Sequence, residues 1–155
     1  MDLARGQLDA ACRTREMPRE RGGNMYSHMM VGSNDIQRSK RFYDALFGAI
    51  GGKPAIEDDK GRLIYLHNGG IFMVTPPIDG GPATHGNGAT IGFTMQDPAQ
   101  ADAWHEAGAA HGGTAIEDPP GIREGKFGKL YLAYLRDPDG NKLCALHRPP
   151  AESTG

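Results

Sequence analysis

Six histidines and two cysteines are the side chains of this 155-residue chain best suited to hold a metal or attack a substrate. His28 and Cys144 lie within apolar, strand-like runs, Tyr26-Ser27-His28-Met29-Met30-Val31 and Lys142-Leu143-Cys144-Ala145-Leu146. Brought together by a fold, an imidazole and a thiol form a soft pair for zinc or copper(I). The same pair could instead activate the thiol as a nucleophile. Kept apart, Cys144 is a small buried hydrophobe, the commoner fate of a free cysteine in a strand. His85, in the Gly-rich run Thr84-His85-Gly86-Asn87-Gly88, is a further candidate ligand if that run reaches a site. His67, His105, His111 and His147 have ordinary strand-end or helix-surface explanations. Arg123 stands in a glycine-rich stretch, residues 119–129, which reads either as a lid or as a solvated connection. As part of a lid its guanidinium would suit a carboxylate or phosphate.

What positions these groups is an alternation of strands and helices. A strand over residues 26–33 leads to a helix capped by Ser33 or Asn34. Ile36, Tyr43, Leu46, Phe47 and Ile50 give that helix its apolar stripe, and Gly51-Gly52 stops it. Strands near residues 53–57, 62–67 and 71–75 follow, separated by the turn-forming Asp59-Lys60-Gly61 and Asn68-Gly69-Gly70. After a Gly/Pro-rich linker, residues 77–87, the plan repeats. A strand spans residues 89–96, and Asp97-Pro98 opens a helix striped by Ala101, Trp104 and Gly108. Strands then occupy residues 114–117, 130–136 and 141–147, the last pair turned by Asp137-Pro138-Asp139-Gly140-Asn141.

The repeat is internal duplication. Asp35 and Asp97 lie 62 residues apart, and the same offset sets His28 against Thr90 and Phe42 against Trp104. Ile64-Tyr65-Leu66 matches Ala133-Tyr134-Leu135 at an offset of 69, and Met73 matches Cys144 at 71. The fold class is therefore α+β: two βαβββ modules, residues 25–76 and 88–148, forming a curved sheet around a cup with the helices on its outer face. Strand alternation turns His28, Met30, Met73, Thr90, Thr94 and Cys144 toward the cup. Tyr65 and Tyr134 are either further cup residues or core. Residues 1–24 are expected to be a polar extension outside the core, with a short helix around Leu3–Cys12, and Met25 as an alternative start.

Three features together resemble the vicinal oxygen chelate superfamily, which includes glyoxalases, bleomycin-resistance proteins and extradiol dioxygenases. They are Tyr26-Ser27-His28, the helix with Arg41-Phe42-Tyr43, and Tyr134-Leu135-Arg136 running into the Asp137–Asn141 turn. The match spans about Met25 to Arg148. The resemblance implies a divalent metal held by His and Glu or Gln side chains at four equivalent strand positions, polarising two neighbouring substrate oxygens. Those positions carry His28, Met73, Thr90 and Cys144 here, and only His28 fits the pattern. The expectation is thus a protein that binds a small organic molecule in its cup without the usual metal, and with no cofactor. The alternative is a metal-dependent lyase or dioxygenase built on His28, with zinc or another soft ion favoured over manganese, iron or magnesium. The resemblance also implies a homodimer.

Bulk properties narrow the partners. With 17 basic and 19 acidic residues the formal charge is −2, which gives no electrostatic reason to bind nucleic acid or an anionic membrane. No apolar run approaches the roughly 20 residues of a membrane span, and two cysteines make no disulfide framework. A cytoplasmic protein with a small-molecule ligand is expected.

Overall fold

The structure, a computed structural model, describes residues 25–152. The expected polar extension, its short helix and Cys12 lie outside the described residues. The first module runs β1 (Met29–Gly32), α1 (Ile36–Gly48), β2 (Ile56–Glu57), β3 (Leu63–His67) and β4 (Gly70–Thr75). The second runs β5 (Ile91–Thr94), α2 (Pro98–Ala110), β6 (Thr114–Ala115), β7 (Gly121–Gly125), β8 (Gly128–Arg136) and β9 (Lys142–His147). Each builds its own open sheet, in the orders β1-β4-β3-β2 and β5-β9-β8-β6. In both, the first and last strands run parallel and the others antiparallel, because a helix separates the first strand from the rest.

Local chemistry explains most boundaries. Asp35 and Asp97 cap the helices, their carboxylates accepting from the N–H groups of Arg38 and Gln100. The first cap is therefore Asp35 and not Ser33 or Asn34, because Ser33 Oγ is already engaged by the Asp35 N–H and Asn34 by Ala83. Asn68 and Gly69, both at positive φ, form a two-residue turn that closes β3 on β4. The 119–129 stretch is a hairpin rather than an irregular loop: Gly121–Gly125 pairs with β8 as β7, and the tip falls at Lys126-Phe127. Extending β8 back to Gly128 offers that segment a backbone ladder, a term invisible to side-chain patterning.

Hydrogen-bond register makes the duplication concrete and corrects one offset. Met30 pairs with Met73 and Gly92 with Cys144, in keeping with offsets of 62 and 71. Ile64 pairs with Met73, however, and Tyr134 with Cys144, so β3 matches β8 at 70 and not 69. Tyr65 is consequently the counterpart of Leu135, and Tyr134 that of Ile64.

One core serves both modules. Phe42, Tyr43, Leu46 and Phe47 of α1 are buried with Leu63, Tyr65, Phe72 and Val74 below them. Phe93 of β5 joins the halves, with ring centroids 5.4 Å from Phe72, 5.6 Å from Phe47 and 6.2 Å from Trp104. The helices meet where Leu46 faces Gly108, themselves 62 residues apart. The larger residue thus fills the space its own repeat partner leaves empty.

Candidate ligand-binding site

On the face of the first sheet away from the core, register and alternation set Met30, Ile64 and Met73 side by side. Ile56, Leu66 and Ile71 extend that face and are exposed. Apart from Thr75 at its end, the strand residues of this face are apolar. His28 sits just before β1, exposed, its Nδ1 2.9 Å from Ser27 Oγ. The matching face of the second sheet carries Gly92, Thr94, Tyr134, Lys142, Cys144 and Leu146. Thr90 is exposed immediately before β5.

This second face is more polar. Cys144 is 5% exposed, and burial pushes its thiol pKa up despite contact with Tyr134 and the nearby Lys142 ammonium. Burial and Cys144 in turn push Tyr134 up to about 12. Lys142 Nζ stands 4.9 Å above the Tyr134 ring and 3.1 Å from Glu117 Oε1, a cation–π contact with an ion pair behind it. Glu117 is held at φ 58, a left-handed conformation disfavoured for a non-glycine residue. Arg123 is spent locally, donating to the carbonyls of Asp118 and Pro119. Tyr65, a candidate for the cup, belongs to the core face: it is 2% exposed and its hydroxyl donates to Asp44. His85 lies against the backbone of Gly140, 2.8 Å from where a Cβ would stand.

The Asp137–Asn141 turn does more than reverse the chain. Tyr43 of α1 donates to Asp137 Oδ2 at 2.6 Å, and Asn141 Nδ2 donates to the same oxygen at 2.8 Å. Asp139 accepts from Asn34 N, Arg38 Nη2 and Ser39 Oγ. The start of α1 is thereby clasped to the last hairpin of the other module.

A cavity of about 460 Å³ opens at the opposite end of the seam between the sheets. Phe47 of α1, Ile50 in the turn after it, Phe72 of β4, and Ile91 and Phe93 of β5 form its apolar walls. His67, Asn68, Thr94 and Gln96 contribute polar groups. Of the residues singled out from sequence, Thr94 and Tyr65 line it, whereas His28, Met30, Met73, Thr90, Cys144, Arg123 and Tyr134 do not. Sequence patterning missed Lys142, although it alternates with Cys144. It also missed the cavity, for which no single residue is a signal.

A family model described as the glyoxalase/bleomycin resistance protein/dioxygenase superfamily matches residues 26–145. A glyoxalase/bleomycin resistance protein from Albidiferax ferrireducens T118 is 59% identical over 81% of this chain and 100% of its own, with a TM-score of 0.78. This chain belongs to the glyoxalase/bleomycin resistance/dioxygenase superfamily. Two more distant structures share its fold. A family enzyme from Burkholderia phytofirmans PsJN is 16% identical (TM-score 0.59), covering 78% of this chain and 96% of its own. The fosfomycin resistance protein FosX from Mesorhizobium loti is 16% identical (TM-score 0.56), covering 84% and 97%. A search of curated proteins finds no match.

Superfamily enzymes often hold a divalent metal, and the donor set of this member does not fit a hard, oxygen-preferring one. A thioether, a hydroxyl and a thiol whose pKa burial raises are poor partners for a hard ion beside His28. Among the described residues, no three His, Cys, Asp or Glu side chains converge as a metal-holding group. Nor is any described helix long and apolar enough to cross a membrane.

Proposed function

We propose that this superfamily member binds a small, partly apolar organic molecule in its cup, against the faces of its two sheets turned away from the helices, without the usual metal. The observation that carries the reading is the pairing of Met73 and Cys144 with Met30 and Gly92 at the core of those faces. None of these four positions carries a carboxylate, and the apolar strip of Met30, Ile64 and Met73 offers contact area in place of coordination. On the second face, Lys142 over Tyr134 suits a polar or anionic end of the same ligand. An amphipathic ligand matches both faces. We further propose a cytoplasmic homodimer, supported by the exposure of Ile56, Leu66 and Ile71 on one strip. Light scattering should then give twice the 16.6 kDa of a single chain.

The test is a crystal soaked with a panel of amphipathic carboxylates and phenols, paired with elemental analysis of the purified protein. Density between Met73 and Lys142 in metal-free protein is the expected result. A stoichiometric divalent ion on His28, with activity lost in His28→Ala, would establish metal-dependent lyase or dioxygenase chemistry instead.

A further inference from the structure

We propose that the seam cavity is a second ligand site, taking an uncharged, flat aromatic molecule with one hydrogen-bonding group. Its origin lies in a failure of the internal symmetry. The repeat relates the two ends of the seam, and at one end the start of α1 grips the Asp137–Asn141 turn. The gripping residues are Asn34, Arg38, Ser39 and Tyr43. At the offset of 62, their counterparts on the second module are Gln96, Gln100, Ala101 and His105. The turn at that end is the short Asn68-Gly69, which has no carboxylate to grip. With neither half of a clasp present, the space is left as the cavity, and Asn68 and Gln96 line it.

What remains has the makings of a small-molecule site. A volume of about 460 Å³ falls within the range of ligand pockets, commonly about 300–1,000 Å³. Phe47, Phe72 and Phe93 line it, with Phe93 set edge-on to the other two rings at interplanar angles of 87° for Phe47 and 73° for Phe72. Such walls favour an inserted aromatic ring. Among the described residues that line it there is no Asp, Glu, Lys or Arg. A charged ligand would lose hydration there without gaining a counter-ion, which selects a neutral one. The amides of Asn68 and Gln96 and the ring of His67 can both donate and accept, which suits a phenol, amide or ketone. This site shares Ile71, Gly92 and Thr94 with the margin of the sheet faces proposed above, but Met30, Met73, Tyr134, Lys142 and Cys144, at the centre of those faces, do not line it.

Naphthol, with naphthoate as its charged analogue, tests the assignment by calorimetric titration of the full-length protein. Saturable binding of naphthol below about 1 mM is expected, with naphthoate at least about tenfold weaker. Ile91→Phe narrows the cavity from within and should weaken naphthol at least about tenfold. Asn68→Gly, which removes the amide and keeps the positive φ of the turn, should weaken it about threefold or more. Met73→Ala should leave it unchanged within about twofold. Equal affinity for naphthoate, no saturable binding, or a naphthol affinity indifferent to both Ile91→Phe and Asn68→Gly each overturns the inference. Affinity lost in Met73→Ala but kept in Ile91→Phe would move the ligand to the sheet faces turned away from the helices, overturning this site and leaving the proposed function intact. A crystal showing residues 1–24 or a second copy filling the cavity would equally overturn it.

Discussion

Tyr43→Phe removes one oxygen atom from the clasp between the modules and leaves the packing otherwise unchanged. In the native chain that hydroxyl donates at 2.6 Å to Asp137, and the two residues are 0% and 4% exposed. Hydrogen bonds to charged groups contribute about 1.5–3 kcal/mol, more when loss leaves the charge without a donor. Here Asp137 Oδ2 keeps Asn141 Nδ2, and Oδ1 keeps the N–H groups of Asp139 and Asn141, both at 2.9 Å. The carboxylate is only partly orphaned, so the loss belongs at the lower end, about 1.5–2 kcal/mol. For a chain of this length that is a fall in Tm of about 3–8 °C.

The same variant carries a signature in pH. Burial pushes the Asp137 carboxyl above its ordinary value, and Tyr43 and Asn141 hold back part of that rise. A folded pKa above the unfolded one means stability that is fully present below the unfolded pKa and lost as pH climbs through the folded pKa. Without the Tyr43 hydroxyl the folded pKa rises further, so the deficit of Tyr43→Phe should be larger near about pH 7 than near about pH 4. Urea unfolding of wild type and variant at both pH values measures it. A deficit under about 0.5 kcal/mol at neutral pH, or one of equal size at both, would refute the clasp.

Asp44 has the opposite sign: burial raises its pKa, but Lys40, the Ala55 N–H and Tyr65 together hold it below the ordinary value. Its stabilisation is therefore present above the unfolded pKa and lost as pH falls through the folded one, so Asp44→Asn should flatten the acid limb of the stability curve measured by thermal melts. Gly108→Ala should destabilise by about 1–2 kcal/mol in urea titrations, because its Cβ would run into buried Leu135 Cδ1 and stand 3.0 Å from Leu46 Cδ1. The helix-propensity gain of about 1 kcal/mol offsets only part of that cost. In a Cys12→Ser background, Cys144 should react with iodoacetamide at neutral pH at least about tenfold more slowly than a free thiol, followed by mass spectrometry. Rapid labelling would revive its reading as an activated nucleophile.

Strand and helix order was legible because apolar spacing and turn residues agree along most of the chain. Asp97-Pro98 and Gly51-Gly52 mark their helix ends by local chemistry alone. Side-chain alternation likewise placed Met29, Val31, Phe72 and Val74 toward the helices and Met30 and Met73 away from them, as the register has it. β7 is not legible in the sequence because Gly121-Ile122-Arg123-Glu124-Gly125 has no apolar alternation, its stability coming from ladder bonds to β8. The one-residue slip that equated Tyr65 with Tyr134 arose from matching tyrosines, whereas backbone pairing sets the register and sends one to the core and the other outward. Asp137 and Asp139 were legible as turn residues, but their partners lie about a hundred positions away on α1, beyond the reach of local pattern. The seam cavity arises from differences between two repeats, and it becomes readable only once their register is known.

The central claim is that these faces bind without metal, and titration calorimetry of manganese and zinc into chelator-treated full-length protein tests it most directly. No stoichiometric site tighter than about 10 μM, and no rise in Tm on adding either ion, is the predicted result. One ion bound per chain, with binding abolished in His28→Ala, would contradict it.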